Sequence, residues 1–525
     1  MPLDYDTYEE AKEGFRWSEA WEIFDGDRKD FNIAHECVDR HFGDKIGIRI
    51  KFDNRRSEIY TFKEVSILTS QFANMLERYG IKKGDRVAIS LFPSLEYYIS
   101  FLGTLKRGAI SVPCFPLFGP DALAFRIKDS GARFLIIEKE KKDLIEPDLV
   151  SNIIVREDLI KMIQDEEKDY KTDTSADDLA VIQYSSGTTG LPKQVRYPHK
   201  AITVSAPFVK FGLGLRRDDN YFCPSSPAWG HGIWYGMMGP LIFGNAIGTY
   251  SGKFDPEVLL EALEEFEITN ISAAPTVFRM IMNSGKIDNY RLKIERLTYT
   301  GEAMEEELFK FLQNKLGIDP HGFYGSTEAG VVLLNYAGFS DWRVKPGSLG
   351  KPMLGVKVAV LDRNEDELPP NEVGTLAVKR NDKWIKLGDS GYVDRDGYYW
   401  YKGRTDDIII SAGYTIGPNE IENLLLKHPK VLEAAVIGVP DKDRGEIVKA
   451  FIKIECEPAD DLKKDIQEFV KKRLSRHEYP REIAFVEDLP KTMDGKIRRK
   501  ELREWERKKR KGLKEKKEVS MWRTY

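Results

Sequence analysis

The chain predicts an α/β fold: a large N-terminal domain of layered α/β subdomains with a β-rich subdomain, followed by a small α+β domain at the C-terminus. Three observations carry this expectation. Apolar strand-like runs alternate with amphipathic helical periods from Phe31 to Gly330. Two-residue alternation broken by turn clusters takes over from Gly347 to Val378. Beyond Gly403 the pattern becomes helix, strand, strand, helix, with a basic tail. A length of 525 residues exceeds one ordinary core.

Taken in order, Phe31–His41 reads as an amphipathic helix and Phe62–Leu76 as a second, with Phe62, Val65, Leu68 and Phe72 on one face. Arg86–Leu91 is a strand after the Gly84-Asp85 turn, Tyr97–Leu105 an apolar helix and Ala109–Pro113 a strand. Residues 139–178 are the most polar part of the first half, and Asp165–Asp178 reads as a solvated surface connection. Leu179–Ile182 is then a buried strand. Tyr221–Gly252 has no Asp, Glu, Lys or Arg, but its prolines and glycines break it well short of the roughly 20 continuous apolar residues of a membrane span. A deeply buried segment around a pocket is expected there. Asp255 caps a helix that starts at Pro256. Ile268–Ala274 is a strand, and Arg296–Thr300 and the run from Asp319 lead into Gly-rich loops. Gly388–Trp400 reads as two strands joined by an Asp-Gly turn. Gly403–Asp407 is the expected boundary, giving domains over 1–405 and 406–525. After it come helix Pro418–Leu426, strands Ala434–Val439 and Val448–Ile454, and a helix with Leu462, Ile466, Phe469, Val470 and Leu474 on one face. Leu489–Arg499 is a turn-rich loop, and Arg507–Lys517 a basic, solvated helix.

Composition narrows the class. A 41% hydrophobic and 32% charged chain is globular rather than disordered, and a net charge of −4 gives no global signal for nucleic acid. Cys37, Cys114, Cys223 and Cys456 form no C-x-x-C pair and read as reduced thiols of a cytoplasmic protein. The seven histidines lack ligand spacing, so no structural metal is expected. The acidic N-terminus is unlike a signal peptide.

The chemistry concentrates in Tyr184-Ser185-Ser186-Gly187-Thr188-Thr189-Gly190-Leu191-Pro192-Lys193. Glycines let backbone N–H groups turn toward an anion, hydroxyls add donors, and Lys193 adds a charge. The spacing is not that of a Walker A loop. Gly301-Glu302-Ala303, Tyr324-Gly325-Ser326-Thr327-Glu328, Gly388-Asp389 with Gly403-Arg404, and Gly495-Lys496 follow in order.

On these five stretches the chain, from about residue 31 to about 505, resembles the adenylate-forming enzymes: acyl-CoA synthetases, luciferases and peptide-synthetase adenylation modules. From Gly388 through Lys500 the chain most resembles the medium-chain acyl-CoA synthetase branch. The resemblance implies ATP, Mg²⁺ and coenzyme A, with a small carboxylic acid as substrate and no nucleic-acid partner; it leaves a homo-oligomer open. Ser185, Ser186, Gly187, Thr188, Thr189, Gly190 and Lys193 would hold the β- and γ-phosphates. Thr327 would bond the α-phosphate, and Glu328 would ligate Mg²⁺. Tyr324 would stack on adenine, with Gly301, Glu302 and Ala303 on its other face. Asp389, assisted by Arg404, would accept from the ribose. Lys496 would stabilise charge during adenylation. Asp406 matches the hinge of a mobile C-terminal domain that also presents Ala412, Gly413 and Tyr414 to coenzyme A.

Three departures stand out: Thr415 in place of a common arginine, Gln194 in place of a common glycine, and a short segment between Val378 and Lys386. Gly325 occupies the position where acetyl-specific relatives carry tryptophan. With Trp229, Gly230, His231, Gly232 and Trp234 as candidate pocket, this implies an uncharged short-to-medium, branched or hydroxylated aliphatic acid. An aryl acid, delivery to a carrier protein, and a non-catalytic nucleotide-binding role are the competing readings.

Overall fold

The computed structural model describes residues 2–146, 148–185, 192–326, 329–405, 407, 409–411, 414–441, 445–455, 457–474, 479–491 and 497–510, with backbone alone at 185, 410, 414, 415, 420 and 445. Two compact units, Met1–Gly355 and Val356–Tyr525, make up the chain.

The first unit is built on two sheets. The six-stranded sheet comes from one stretch of chain, in the spatial order Asn152–Val155, Phe134–Ile137, Arg86–Ser90, Ile110–Pro113, Leu179–Ser185, Lys193–Pro198. Only its last pair is antiparallel. The nine-stranded sheet takes chain from both sides of that stretch: Lys351–Pro352, Gly330–Leu334, His321–Ser326, Arg296–Tyr299, Asn270–Ala273, Tyr221–Phe222, Ile247–Ser251, Ile46–Phe52, Ser57–Thr61. Strands from His321–Ser326 to Ile46–Phe52 run parallel, with antiparallel pairs at both edges. The expected layered α/β architecture is therefore present. Parallel strands covered on both faces need continuous apolar sequence, and Phe134, Leu135, Ile136 and Ile137 are all fully buried.

Helix Leu95–Lys106 is buried at every position but Glu96. Its terminal Lys106 is satisfied by Asp39 at 2.7 Å, Ser66 O at 3.1 Å and Ser70 Oγ at 3.0 Å. That pairing explains a departure from expectation. Instead of one helix over Phe31–His41, an α-helix spans Ile33–Cys37 and a single 3₁₀ turn spans Asp39–His41. Val38 leaves the helical region at φ −131°, and Asp39 reaches both Lys106 and Ser66. Neutralising a buried ammonium outweighs one further helical turn. Helix Phe62–Arg78 buries Phe62, Val65 and Phe72 of the expected apolar face, leaves Leu68 half-buried, and opens on a Thr61/Glu64 capping box. Within the polar stretch 139–178, strand Asn152–Val155 and helix Arg156–Ile163 had no assigned place in the sequence reading. The connection after them is tied down by Gln71 to Gln164 O and Glu166 O, and by Asn74 to Glu167 O and Asp169 O. The uncharged stretch is buried as expected: strand Ile247–Ser251 is inaccessible throughout, and a π-helix spans His231–Met238. Among the described residues no helix is long and apolar enough to cross a membrane.

The second unit carries a four-stranded antiparallel sheet, Val358–Leu361, Gly374–Arg380, Lys383–Val393, Tyr399–Arg404. Its other sheet has five strands, Tyr414–Ile416, Ile409–Ser411, Gly445–Ile454, Val431–Asp441 and, parallel to Gly445–Ile454, Glu482–Phe485. Alternation along Val431–Asp441 sets two cores. Ala434 and Val436 pack with Ile421, Leu462, Ile466 and Val470 of helices Pro418–Leu425 and Asp460–Lys471. Ala435, Ile437 and Val439 pack with Leu502 and Trp505 of helix Arg499–Arg510. The 405/406 boundary read from sequence falls inside this unit, between its two sheets. Backbone approach ties the sheets together there: a Cβ on Gly417 would lie 2.2 Å from Lys402 O. A division at 405/406 concerns motion rather than compactness, and it stays an expectation.

Candidate active site

Parallel strands present their carboxyl ends to one edge, and loops leaving that edge form the usual crevice of an open α/β sheet. In the nine-stranded sheet, Arg296–Tyr299 and His321–Ser326 are neighbours, paired Tyr299 to Gly322. Just past the first, Thr300 Oγ1 donates to Phe323 O of the second at 2.9 Å. The loop Gly301-Glu302-Ala303 is thereby fixed beside Tyr324. Gly301 takes φ +95°, a left-handed value natural to glycine, and all three residues are exposed. The Glu302 carboxylate turns back onto the next strand end. It accepts from Thr276 N at 2.7 Å and from the Thr276 hydroxyl, with Arg279 3.8 Å away. Its side chain braces the loop, and the loop backbone is what faces outward. Tyr324 is half-buried, and Ser326 Oγ accepts from Ala329 N at 3.1 Å. Thr327 and Glu328 lie outside the described residues.

The Ser/Gly/Thr stretch begins and ends in the edge hairpin of the six-stranded sheet, with Tyr184 opposite Gln194 and Ser185 opposite Lys193. Ser186, Gly187, Thr188, Thr189 and Gly190 lie outside the described residues; Lys193 is exposed at the hairpin root. Sequence reasoning missed what holds that root. Asp129 accepts from Tyr184 Oη at 2.8 Å and from Gln194 Nε2 at 2.6 Å. Burial, with the Asp129 bond second, raises the Tyr184 phenol well above its ordinary value. Gln194, noted only as a departure, is thus a strut of the loop. Gln183 was missed too. It is buried and bonds Trp234 Nε1 at 3.0 Å and Ala228 O at 3.3 Å, joining this strand to the 228–234 segment. The signal was available, because a polar side chain in a buried strand requires partners.

That segment runs between the two sheets. Tyr97 Oη donates to Pro227 O at 3.0 Å. Trp229 is 39% exposed and leans on Phe115, and no atom approaches the open side of Gly230. His231 is half-buried between Ser225 Oγ at 2.9 Å and Ser272 Oγ at 2.8 Å, and desolvation holds its pKa down to about 4. Phe323 packs edge-on against His231, Tyr235 and Phe208. Gly325 sits at a β-bulge, where a Cβ would fall 2.1 Å from Gly330 O and 2.8 Å from Val331 Cα. Glycine is required there by backbone approach, before any acyl group is considered.

In the second unit Asp389 and Arg404 face each other across Lys383–Val393 and Tyr399–Arg404, bonded at 3.1 Å. Asp389 is buried, and Gly388 at φ +75° leaves room for the Arg404 guanidinium that a Cβ would meet at 2.9 Å. Nearby Asp407 is buried and paired with Arg503 at 2.5 Å and Arg499 at 3.5 Å; Arg499 also pairs with Glu422. Tyr414 lies in strand Tyr414–Ile416, with Thr415 opposite Ile410. Asp406, Ala412, Gly413 and Lys496 lie outside the described residues. Among the described residues no group of three His, Cys, Asp or Glu could hold a metal ion.

Comparison with known proteins matches residues 39–383 to the AMP-binding enzyme family and 420–496 to the AMP-binding enzyme C-terminal domain. An acetyl-coenzyme A synthetase of Bacillus subtilis is 35% identical, over 95% of each chain. The mitochondrial acyl-coenzyme A synthetase ACSM3 of Mus musculus is 31% identical, over 96% of this chain and 94% of its own. Among solved structures, the anthranilate CoA ligase AuaEII in complex with anthranoyl-AMP superposes with a TM-score of 0.82 at 27% identity, covering 94% of this chain and 99% of that one.

Proposed function

Because this chain belongs to the AMP-binding enzyme family and is an AMP-forming acyl-CoA synthetase, we propose that its substrate is an uncharged short-to-medium aliphatic acid, branched or hydroxylated chains included. The acid's carboxylate oxygen bonds to the α-phosphorus of ATP as the bond to the bridging oxygen breaks, releasing pyrophosphate. Coenzyme A sulfur, its proton lost to solvent, then bonds to the acyl carbon, and AMP leaves with the former carboxylate oxygen. The first step brings two anions together, so positioning and charge neutralisation dominate over nucleophilic side chains.

The observation that carries this reading is the convergence of the Gly301 loop, the Tyr324 strand end and the 223–231 segment on one edge of the nine-stranded sheet. Adenine would lie between Tyr324 and the exposed backbone of Gly301–Ala303. The loop from Ser185 to Lys193 would hold the β- and γ-phosphates, braced by Asp129 and Gln194. Thr327 would donate to the α-phosphate, Asp389 would accept from the ribose beside Arg404, and Lys496 would neutralise the carboxylate as it meets phosphorus. Glu328 would hold Mg²⁺, a hard cation that supplies positive charge to phosphate oxygens when bound. Asp406 would serve as the hinge, and Ala412, Gly413 and Tyr414 would line the path of coenzyme A. Trp229 and Gly230, with the backbone at Gly325, would line the acyl group. The free, buried thiols of Cys37, Cys114 and Cys223 fit a reducing, cytoplasmic setting.

An aryl acid is the second reading, favoured by the Phe208–Tyr235–Phe323 aromatic cluster and by the anthranilate ligase likeness. One assay separates the two: pyrophosphate release over acids from acetate to octanoate, with branched, hydroxylated and benzoate members, with and without coenzyme A. Turnover peaking on an aliphatic acid and needing coenzyme A is the expected result, with the adenylation step lost in Lys496→Ala. Turnover confined to benzoate would replace the aliphatic reading. ATP binding with no turnover on any acid would overturn both.

A further inference from the structure

Away from that edge, at the amino ends of the same parallel strands, lies a cavity of about 190 Å³ lined by Lys45, Arg49, Arg217, Asp218, Asp219 and Asn220. Lys45 precedes strand Ile46–Phe52, Asn220 precedes Tyr221–Phe222, and Arg49 lies on the first of these beside Gly248. Three cations from separate positions therefore converge at the end of the sheet opposite the candidate active site.

Their partners are few. Asp219 is committed elsewhere, to Arg296 at 2.6 Å, Thr269 Oγ1 at 2.8 Å and Arg216 N at 2.8 Å. Among the described residues, the Lys45 ammonium donates only to Gly244 O. Neither Arg49 nor Arg217 pairs with a carboxylate among the described residues, and Arg49 Nη1 is buried without a hydrogen-bond partner. A buried guanidinium nitrogen left unpaired is costly, and an oxyanion in the cavity would supply the missing acceptor. Burial lowers the Arg49 pKa, and burial together with Arg217 lowers that of Lys45, the mark of like charges held together. The volume is below the roughly 300 Å³ at which metabolite pockets begin, which excludes a nucleotide and suits a small oxyanion. Guanidinium groups match such oxygens in fork geometry.

We propose that Lys45, Arg49 and Arg217 form a binding site for a tetrahedral oxyanion of the phosphate class, separate from the nucleotide site. Asp218, the remaining carboxylate of the lining, limits its affinity. The test is calorimetric titration of the full chain with inorganic phosphate, against chloride at equal ionic strength. Wild type is compared with Arg49→Gln, Arg217→Ala, Asp218→Asn and Lys193→Ala. The expected result is phosphate binding weakened about tenfold or more in Arg49→Gln and Arg217→Ala, strengthened in Asp218→Asn, and unchanged in Lys193→Ala. Arg217 is exposed, so its variant keeps the test valid if Arg49→Gln fails to fold. Binding that survives in Arg217→Ala but disappears in Lys193→Ala would assign the phosphate to the nucleotide site and overturn the proposal, as would no millimolar binding to wild type.

Discussion

His231 is neutral at pH 7 because desolvation between two serine hydroxyls costs more than protonation returns. Its pKa of about 4 in the fold, against about 6.5 when unfolded, means the unfolded chain binds more protons between those values. The stabilisation is complete above pH 6.5 and is lost as pH falls toward 4, with a slope approaching about 1.4 kcal/mol per pH unit. His321, also near 4, and His199, near 3, add the same sign. Urea unfolding at pH 7 and pH 5 should show wild type losing more stability than His231→Gln; equal losses would remove His231 from this account. Gly325 makes a second prediction. Adding only a methyl, Gly325→Ala should cost about 1–3 kcal/mol, because the neighbour it meets is backbone. An unchanged unfolding midpoint would show that the Gly330 carbonyl yields. At this scale the sequence pointed to candidate residues but not to their supports. Glu302 was legible as a loop residue, whereas its bond to Thr276, 26 positions away, was not. Asp129 and Gln183 act through partners 45 or more residues distant, and no local pattern encodes that.

Hairpin Leu179–Ser185 to Lys193–Pro198 lies at the edge of its sheet, so a further strand flanks it on one side only. The bonds from Gln194 and Tyr184 to Asp129 make up for the missing side. Gln194→Ala should cost about 1 kcal/mol locally, raising the KM for ATP several-fold while leaving kcat for the acid close to wild type. Faster amide exchange at Tyr184 should accompany it. A changed kcat with unchanged KM would place Gln194 in the chemistry instead. Elements with strong periodicity were readable: helix Phe62–Arg78 and helix Pro256–Glu265, with its Asp255 cap, occur where expected. Strand Asn152–Val155 was not, because four residues beside a charged run leave too short a period to register.

In the second unit, Arg499 is the one cation bonded to Glu422 in the described structure, and Arg499 and Arg503 share Asp407. Removing one member of such a buried group leaves its partners charged and dry, so Arg499→Met should cost about 3–5 kcal/mol. Thermal unfolding of the full chain should show an early transition, with ATP binding by the first unit retained below it. A single unshifted transition would show the network to be dispensable. The layered class was legible because alternating apolar periods report it directly. The four-stranded sheet and the strands that follow it belong to one compact unit, and Gly417 approaches the Lys402 backbone within it. The strand order of the large sheet has a consequence during synthesis. Ile48 pairs with Ile247, so strand Ile46–Phe52 waits roughly 200 residues for its parallel neighbour. At ribosomal speed that is on the order of 10–40 s. The six-stranded sheet, ending at Pro198, can close in the meantime, leaving an apolar strand edge bare on the nascent chain. That interval is when this protein most needs a chaperone.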